Sequence, residues 1–81
     1  RGGTAAIVVD VKIVVKTAVD RLAAGIILVH NHPSGNRMPS VQDDALTSRI
    51  KDAAALFDIR VLDHLIVAGN EYFSYADNGK I

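Results

Sequence analysis

Ile26-Ile27-Leu28-Val29-His30-Asn31-His32-Pro33-Ser34-Gly35 is the stretch on which the fold turns. Ile26 to His30 is a continuous apolar run that ends in histidine, and such a run predicts a central strand buried on both faces of a sheet. The segment from His32 to Pro39 holds both prolines of the chain, a glycine and an asparagine, so it must be a loop. In a sheet with helices packed against it, loops at the C-terminal ends of strands are where chemistry is placed. His30 and the loop that follows it stand at that position.

Working outward, Thr4 to Val9 predicts a short strand, although the run lacks clean alternation. From Val11 to Ala24 the period changes to that of a helix. Val11, Val14, Val15, Ala18 and Leu22 share one face, Asp10 is placed to cap the start, and Gly25 to end it. After the loop a second helix is expected from Ser40 to about Leu56 or Phe57, with Leu46, Ile50, Ala53, Ala54 and Phe57 inward. Ile59 to Leu62 and Leu65 to Ala68 predict two strands. Gly69-Asn70 predicts a turn into a further strand from Tyr72 to Tyr75, and Asp77-Asn78-Gly79 a last turn. The expected class is α/β, a mixed β-sheet flanked by helices.

His30 and His32 flank one residue. In extended backbone such a pair points the same way, with Cα atoms roughly 6 to 7 Å apart, so both imidazoles can reach one ion. Asp43 falls at the start of the second helix, where the reversal through the Pro-Gly loop can return its carboxylate to the two rings. Two imidazoles and one carboxylate leave a fourth tetrahedral position open, as a hydrolytic zinc requires. Taken alone, a bare H-x-H fixes no geometry and reads more readily as two rings bonded to nearby backbone than as a metal site. Ser40 and Asp43 likewise form S-x-x-D ahead of an apolar periodic run, which is a helix capping box. The two roles are compatible, because a carboxylate on the first helical turn is favoured by the helix dipole.

The spaced elements His30-Asn31-His32-Pro33-Ser34-Gly35, Pro39-Ser40 and Asp43 closely resemble the JAMM/MPN signature H-x-H-P-x-G…P-S-x-x-D in its RadC-like form. The likeness continues through Val61 to Val67 and Tyr72-Phe73-Ser74, so it spans nearly the whole chain. The resemblance implies a cytidine-deaminase-like fold and a zinc-dependent metallopeptidase or isopeptidase that hydrolyses an amide bond. It implies that His30, His32 and Asp43 ligate Zn2+, that Ser40 is catalytic by stabilising the tetrahedral intermediate, and that the partner is a peptide or protein substrate. One departure stands out. The family's general acid/base is a glutamate on a strand upstream of the first helix, and the only glutamate here is Glu71, far downstream. Together with the opening Arg1-Gly2-Gly3, this predicts that residues 1–81 are the core of a RadC-like JAMM/MPN domain truncated ahead of that strand.

Composition narrows the alternatives. Nine basic residues balance nine acidic ones without a run of either sign, so the basic footprint of a direct nucleic-acid contact is missing. With no cysteine, any metal must be held by His and carboxylate. No apolar stretch approaches the roughly 20 residues of a membrane span and no signal-peptide pattern opens the chain, so a cytoplasmic protein is expected. A barrel amidohydrolase or phosphoesterase with an H-x-H pair needs further ligands and a much longer chain. A non-catalytic interaction or DNA-repair-associated module that keeps the fold is the remaining rival. His64 beside Asp63 is read as fixing a turn in preference to a fourth zinc ligand, which would displace the water a catalytic site keeps; Asn36 and Arg37 are read as solvated loop residues, and Tyr72 and Phe73 as packing residues.

Overall fold

The computed structural model describes residues 10–81, so the strand expected at Thr4 to Val9 lies outside the described residues. Asp10 caps α1 (Val11–Asp20) by accepting the N–H of Lys12 on its carboxylate at 2.9 Å. The helix is shorter than its apolar period suggests. Leu22 takes a left-handed conformation, φ 52°, and the N–H groups of Leu22 and Ala23 return to the carbonyls of Val19 and Ala18. That pair of bonds is a Schellman motif built without glycine. Leu22 is thereby turned into solvent instead of joining the buried face.

Gly25, expected as the helix stop, instead opens β1 (Gly25–Asn31). β1 pairs in parallel with β2 (Arg60–Ala68), which pairs antiparallel with β3 (Glu71–Ser74), giving a three-stranded mixed sheet in the order β1-β2-β3. α2 (Val41–Ala55) carries the chain back between the parallel strands and ends in a second Schellman pair, with Asp58 left-handed. Among the described residues both helices pack on one sheet face. Ala18, Ile50, Ala54, Ile59 and Val61 form the core there, with Ile26 and Leu28 against it. β1 is therefore half-buried, not buried on both faces: Ile27 is 57% and Val29 69% exposed, while Ile26, Leu28 and His30 turn inward.

Ile59 to Ala68 is one strand from Arg60 onward, not two. The break expected near His64 is a β-bulge at Leu62: Ile26 is opposite Val61, yet Ile27 is opposite Asp63. One extra residue on a strand reverses which side chains face which way. Val61 is buried before the bulge, and His64, Ile66 and Ala68 after it. A Cβ on Gly25 would meet the Leu62 side chain at 2.9 Å, so glycine opposite Arg60, next to the bulge, leaves room for it. Gly69, at φ 59°, and Asn70 make the two-residue hairpin into β3, as their sequence indicates. No helix among the described residues is long and apolar enough to cross a membrane.

Candidate metal centre

Parallel pairing puts the end of β1 beside the end of β2, with His30 opposite Ile66 and therefore on the helix-covered face. The chain stays paired one residue further, where the His32 N–H donates to the Val67 carbonyl at 2.8 Å. His32 consequently projects on the same side as His30, and the two rings meet edge to face with centroids 4.8 Å apart. A turn follows at once, closed by the Gly35 N–H on the His32 carbonyl, with Pro33 inside it and Gly35 at φ 85°. Asn36 then does two things. Its side chain accepts the Met38 N–H at 3.0 Å, and its carbonyl sits 2.8 Å from His32 Nδ1. A carbonyl can only accept, so Nδ1 carries the proton and Nε2 of the neutral ring is a lone pair.

Ser40 caps α2 in the reciprocal manner its spacing indicates. Its hydroxyl accepts the Asp43 N–H at 3.1 Å, and the Asp43 carboxylate accepts the Ser40 N–H at 2.7 Å. This fixes the carboxylate toward the sheet, where Oδ1 lies 3.0 Å from His30 Nδ1 and Oδ2 lies 3.0 Å from His32 Nε2. Asp43 is almost fully buried. Burial works to raise its carboxyl, but the Ser40 amide and hydroxyl, joined by His30 and His32 when those rings carry a proton, outweigh that and hold it below the ordinary aspartate range. The residue is a carboxylate at neutral pH.

The donor set fits a cation. The three residues offer ligand atoms that all lie within 4.8 Å of one another. His30 Nδ1 is buried and makes no hydrogen bond, since its approach to Asp43 is close but misaligned. His32 Nε2, held as a lone pair by Asn36, faces a carboxylate oxygen. Two electron-rich atoms 3.0 Å apart repel unless a proton or a cation stands between them.

Behind this group lies a shell that the sequence does not reveal. His64 is buried, and its Nδ1 is 2.6 Å from the Thr47 hydroxyl, which donates to the Asp43 carbonyl at 2.7 Å. Thr47 continues the inward stripe of α2 that Ile50 and Ala54 begin, so its place four residues after Asp43 is the signal that could have found it. Tyr75, just past β3, stacks on His64 and donates to Asp44 at 2.8 Å. Asp63 faces away from the cation group. Its carboxylate accepts from the His64 N–H, the Ser74 hydroxyl and the Ala76 N–H, which pins the tail after β3. Arg37 pairs with Glu71 at 3.2 Å across the sheet end.

Burial, followed by the charge of His30, pushes the His64 imidazole below its ordinary value, so the unfolded chain takes up that proton first. The resulting stability is present above about pH 6.5 and is lost as pH falls through the lower folded value. Asp63 is raised by burial but lowered further by Ser74, Ala76 and His64, so its contribution persists to about pH 3.8 and is lost below that. We expect the melting temperature of the metal-free chain to fall in two stages as pH drops from 8 to 2. His64→Phe should flatten the first stage alone; a melting temperature constant between pH 7.5 and 5 would contradict this assignment.

The RadC-like JAB domain family matches residues 1–80. A protein of Flavobacterium johnsoniae described as a UPF0758 protein is 44% identical over 79 residues, covering 98% of this chain and 34% of the relative. UPF0758 proteins of Porphyromonas gingivalis and Nitrosococcus oceani are 49% identical over 80 residues and 53% over 66, covering 98% and 82% of this chain and 35% and 30% of theirs. The chain thus spans about a third of the length of these curated relatives. By the match along its length and by these relatives, the chain belongs to the RadC-like JAB domain family.

Proposed function

We propose that this chain is the zinc-binding core of a metallohydrolase that cleaves an amide or isopeptide bond in a peptide or protein. The observation that carries the reading is the Asp43 carboxylate lying 3.0 Å from each of two imidazoles, one per oxygen. His30, His32 and Asp43 would hold the ion, two imidazoles and one carboxylate being a donor set of the kind hydrolytic zinc uses. Zinc supplies a Lewis acid that polarises a carbonyl and makes water acidic enough to act near neutral pH. Asn36 sets the His32 tautomer, and Ser40 orients Asp43. The Ser40 hydroxyl accepts the Asp43 N–H and can turn its own proton from the carboxylate toward an oxyanion developing on the substrate. Glu71 is exposed and paired with Arg37, and is given no proton-transfer role; turnover is proposed for a longer protein of the kind the relatives represent.

The test has two parts. The purified chain should bind one equivalent of zinc, measured by elemental analysis after dialysis. In the full-length protein, Ser40→Ala should keep its zinc, lose about 1 kcal/mol of stability from the cap, and lower kcat for peptide hydrolysis about 10²- to 10³-fold. Zinc at background level, or hydrolysis indifferent to chelator, would remove the proposal in favour of a non-catalytic module.

A further inference from the structure

We propose that His64 is a positioning residue that sets the distance between His30 and Asp43 and so governs how tightly their shared site holds a cation. The inference rests on the metal-binding reading above, but not on catalysis. Burying an imidazole is costly, and an apolar side chain would fill the same volume beneath the sheet without that cost. The backbone nevertheless goes out of its way to put the histidine there. Were β2 regular, Asp63 would share the face of Val61; the bulge at Leu62, accommodated by Gly25, delivers His64 to the helix side instead.

From that position His64 touches both elements that carry ligands. Its ring lies nearly parallel to that of His30, 6.0 Å away and 16° apart in plane, and on the other side to that of Tyr75, 4.7 Å and 13°. The ladder of rings limits how far His30 can rotate. Toward α2, the hydrogen bonds have one consistent direction. The Asp43 carbonyl can only accept, so Thr47 gives it its proton, and His64 Nδ1–H must be the donor to Thr47. A continuous path therefore runs from the His30 ring through His64 and Thr47 to the backbone of Asp43. Tyr75 repeats the tether by donating to Asp44, the next residue of the same helical turn. Residues that orient ligands in this way, without contacting the ion, typically change metal affinity about 10- to 100-fold.

Phenylalanine at position 64 keeps a flat ring in the ladder and deletes the donor; valine at 47 keeps the volume of threonine and deletes the hydroxyl. Zinc affinity, by competition with a chromophoric chelator well below each variant's melting temperature, should weaken about 10- to 100-fold in His64→Phe and in Thr47→Val. The double variant should be no weaker than the weaker single one, because both cut one path. Thr47→Ser, which keeps the hydroxyl, should match the wild type. The visible absorption of the cobalt-loaded chain reports ligand geometry directly and should shift in His64→Phe and Thr47→Val but not in Thr47→Ser. A purely structural histidine would lower the melting temperature and leave both the affinity and the cobalt spectrum unchanged, which would overturn the proposal. So would Thr47→Ser losing as much affinity as Thr47→Val. A wild-type chain that takes up no zinc sinks the metal reading itself; wild-type affinity in His64→Phe sinks this inference alone.

Discussion

Asp43→Asn is expected to weaken zinc binding by more than about 100-fold while leaving the helix that carries it in place. The asparagine carbonyl can still accept the Ser40 N–H now taken at 2.7 Å, so the reciprocal cap of α2 survives in part. What disappears is the negative charge and one of the two oxygens, each of which now lies 3.0 Å from an imidazole nitrogen. A change that merely removes an orienting partner of a metal ligand costs about 10- to 100-fold, and removal of a ligand atom should exceed that. Two readouts separate the cause. Circular dichroism should be unchanged, and competition with a chelator should show the lost affinity. Asp43→Ala, which breaks the cap as well, should show the same loss of zinc together with about 1 kcal/mol of lost stability. Stoichiometric zinc in Asp43→Asn at wild-type affinity would take the carboxylate out of the site and leave two histidines, a set too small to fix a geometry.

The parts of this site that were legible in the sequence are those carried by local spacing. His30 and His32 share a face because they are two residues apart at a strand end, and Ser40 with Asp43 is a capping box whatever the tertiary fold. That the rings and the carboxylate converge follows from a parallel crossover of short length, which the alternation of strand and helix implies. The family resemblance assigned those same residues to one ion, and the structure brings the three together. Long-range register was not legible. Val61-Leu62 and Leu65 to Ala68 are apolar at every position, so no alternation betrays the extra residue at Leu62, and the polar Asp63-His64 reads as a gap between two strands. Thr47 is silent in the sequence because an isolated threonine in a helix has no chemistry until its partner across the core is known. The end of α1 is illegible for a different reason: Leu22 keeps the apolar period, but its backbone leaves the helix one turn early. β1 looked buried on both faces because a run of Ile, Leu and Val says how apolar a strand is, not how many layers cover it.

Ile50→Ala should be among the most destabilising single changes to the core, and its interplay with zinc bears on the site. Ile50 has no exposed surface and packs in the cluster formed with Ala18, Ala54, Ile59 and Val61, the layer that clamps α2 to the sheet. Truncating a fully buried isoleucine costs about 2–5 kcal/mol. A domain of this length has only about 4–12 kcal/mol in total, so the melting temperature should fall by roughly 10–40 °C. Under the proposed function, zinc at a hundred times its dissociation constant should return about 2.7 kcal/mol, through binding to the folded chain and not the unfolded one. Ile50 lies about two helical turns from Asp43, far enough that the two effects should add within about 0.5 kcal/mol. Urea midpoints taken with zinc and with chelator should therefore differ by the same free energy in the wild type and in Ile50→Ala, while Asp43→Asn should keep less than about 0.4 kcal/mol of that increment. A smaller zinc increment in Ile50→Ala would mean that the core and the ligands are one cooperative unit, with α2 tilting enough on losing its clamp to pull Asp43 away from the two imidazoles. An increment in Asp43→Asn as large as the wild type's would mean that the ion binds elsewhere on the chain, and the three donors gathered at the end of β1 would need another explanation.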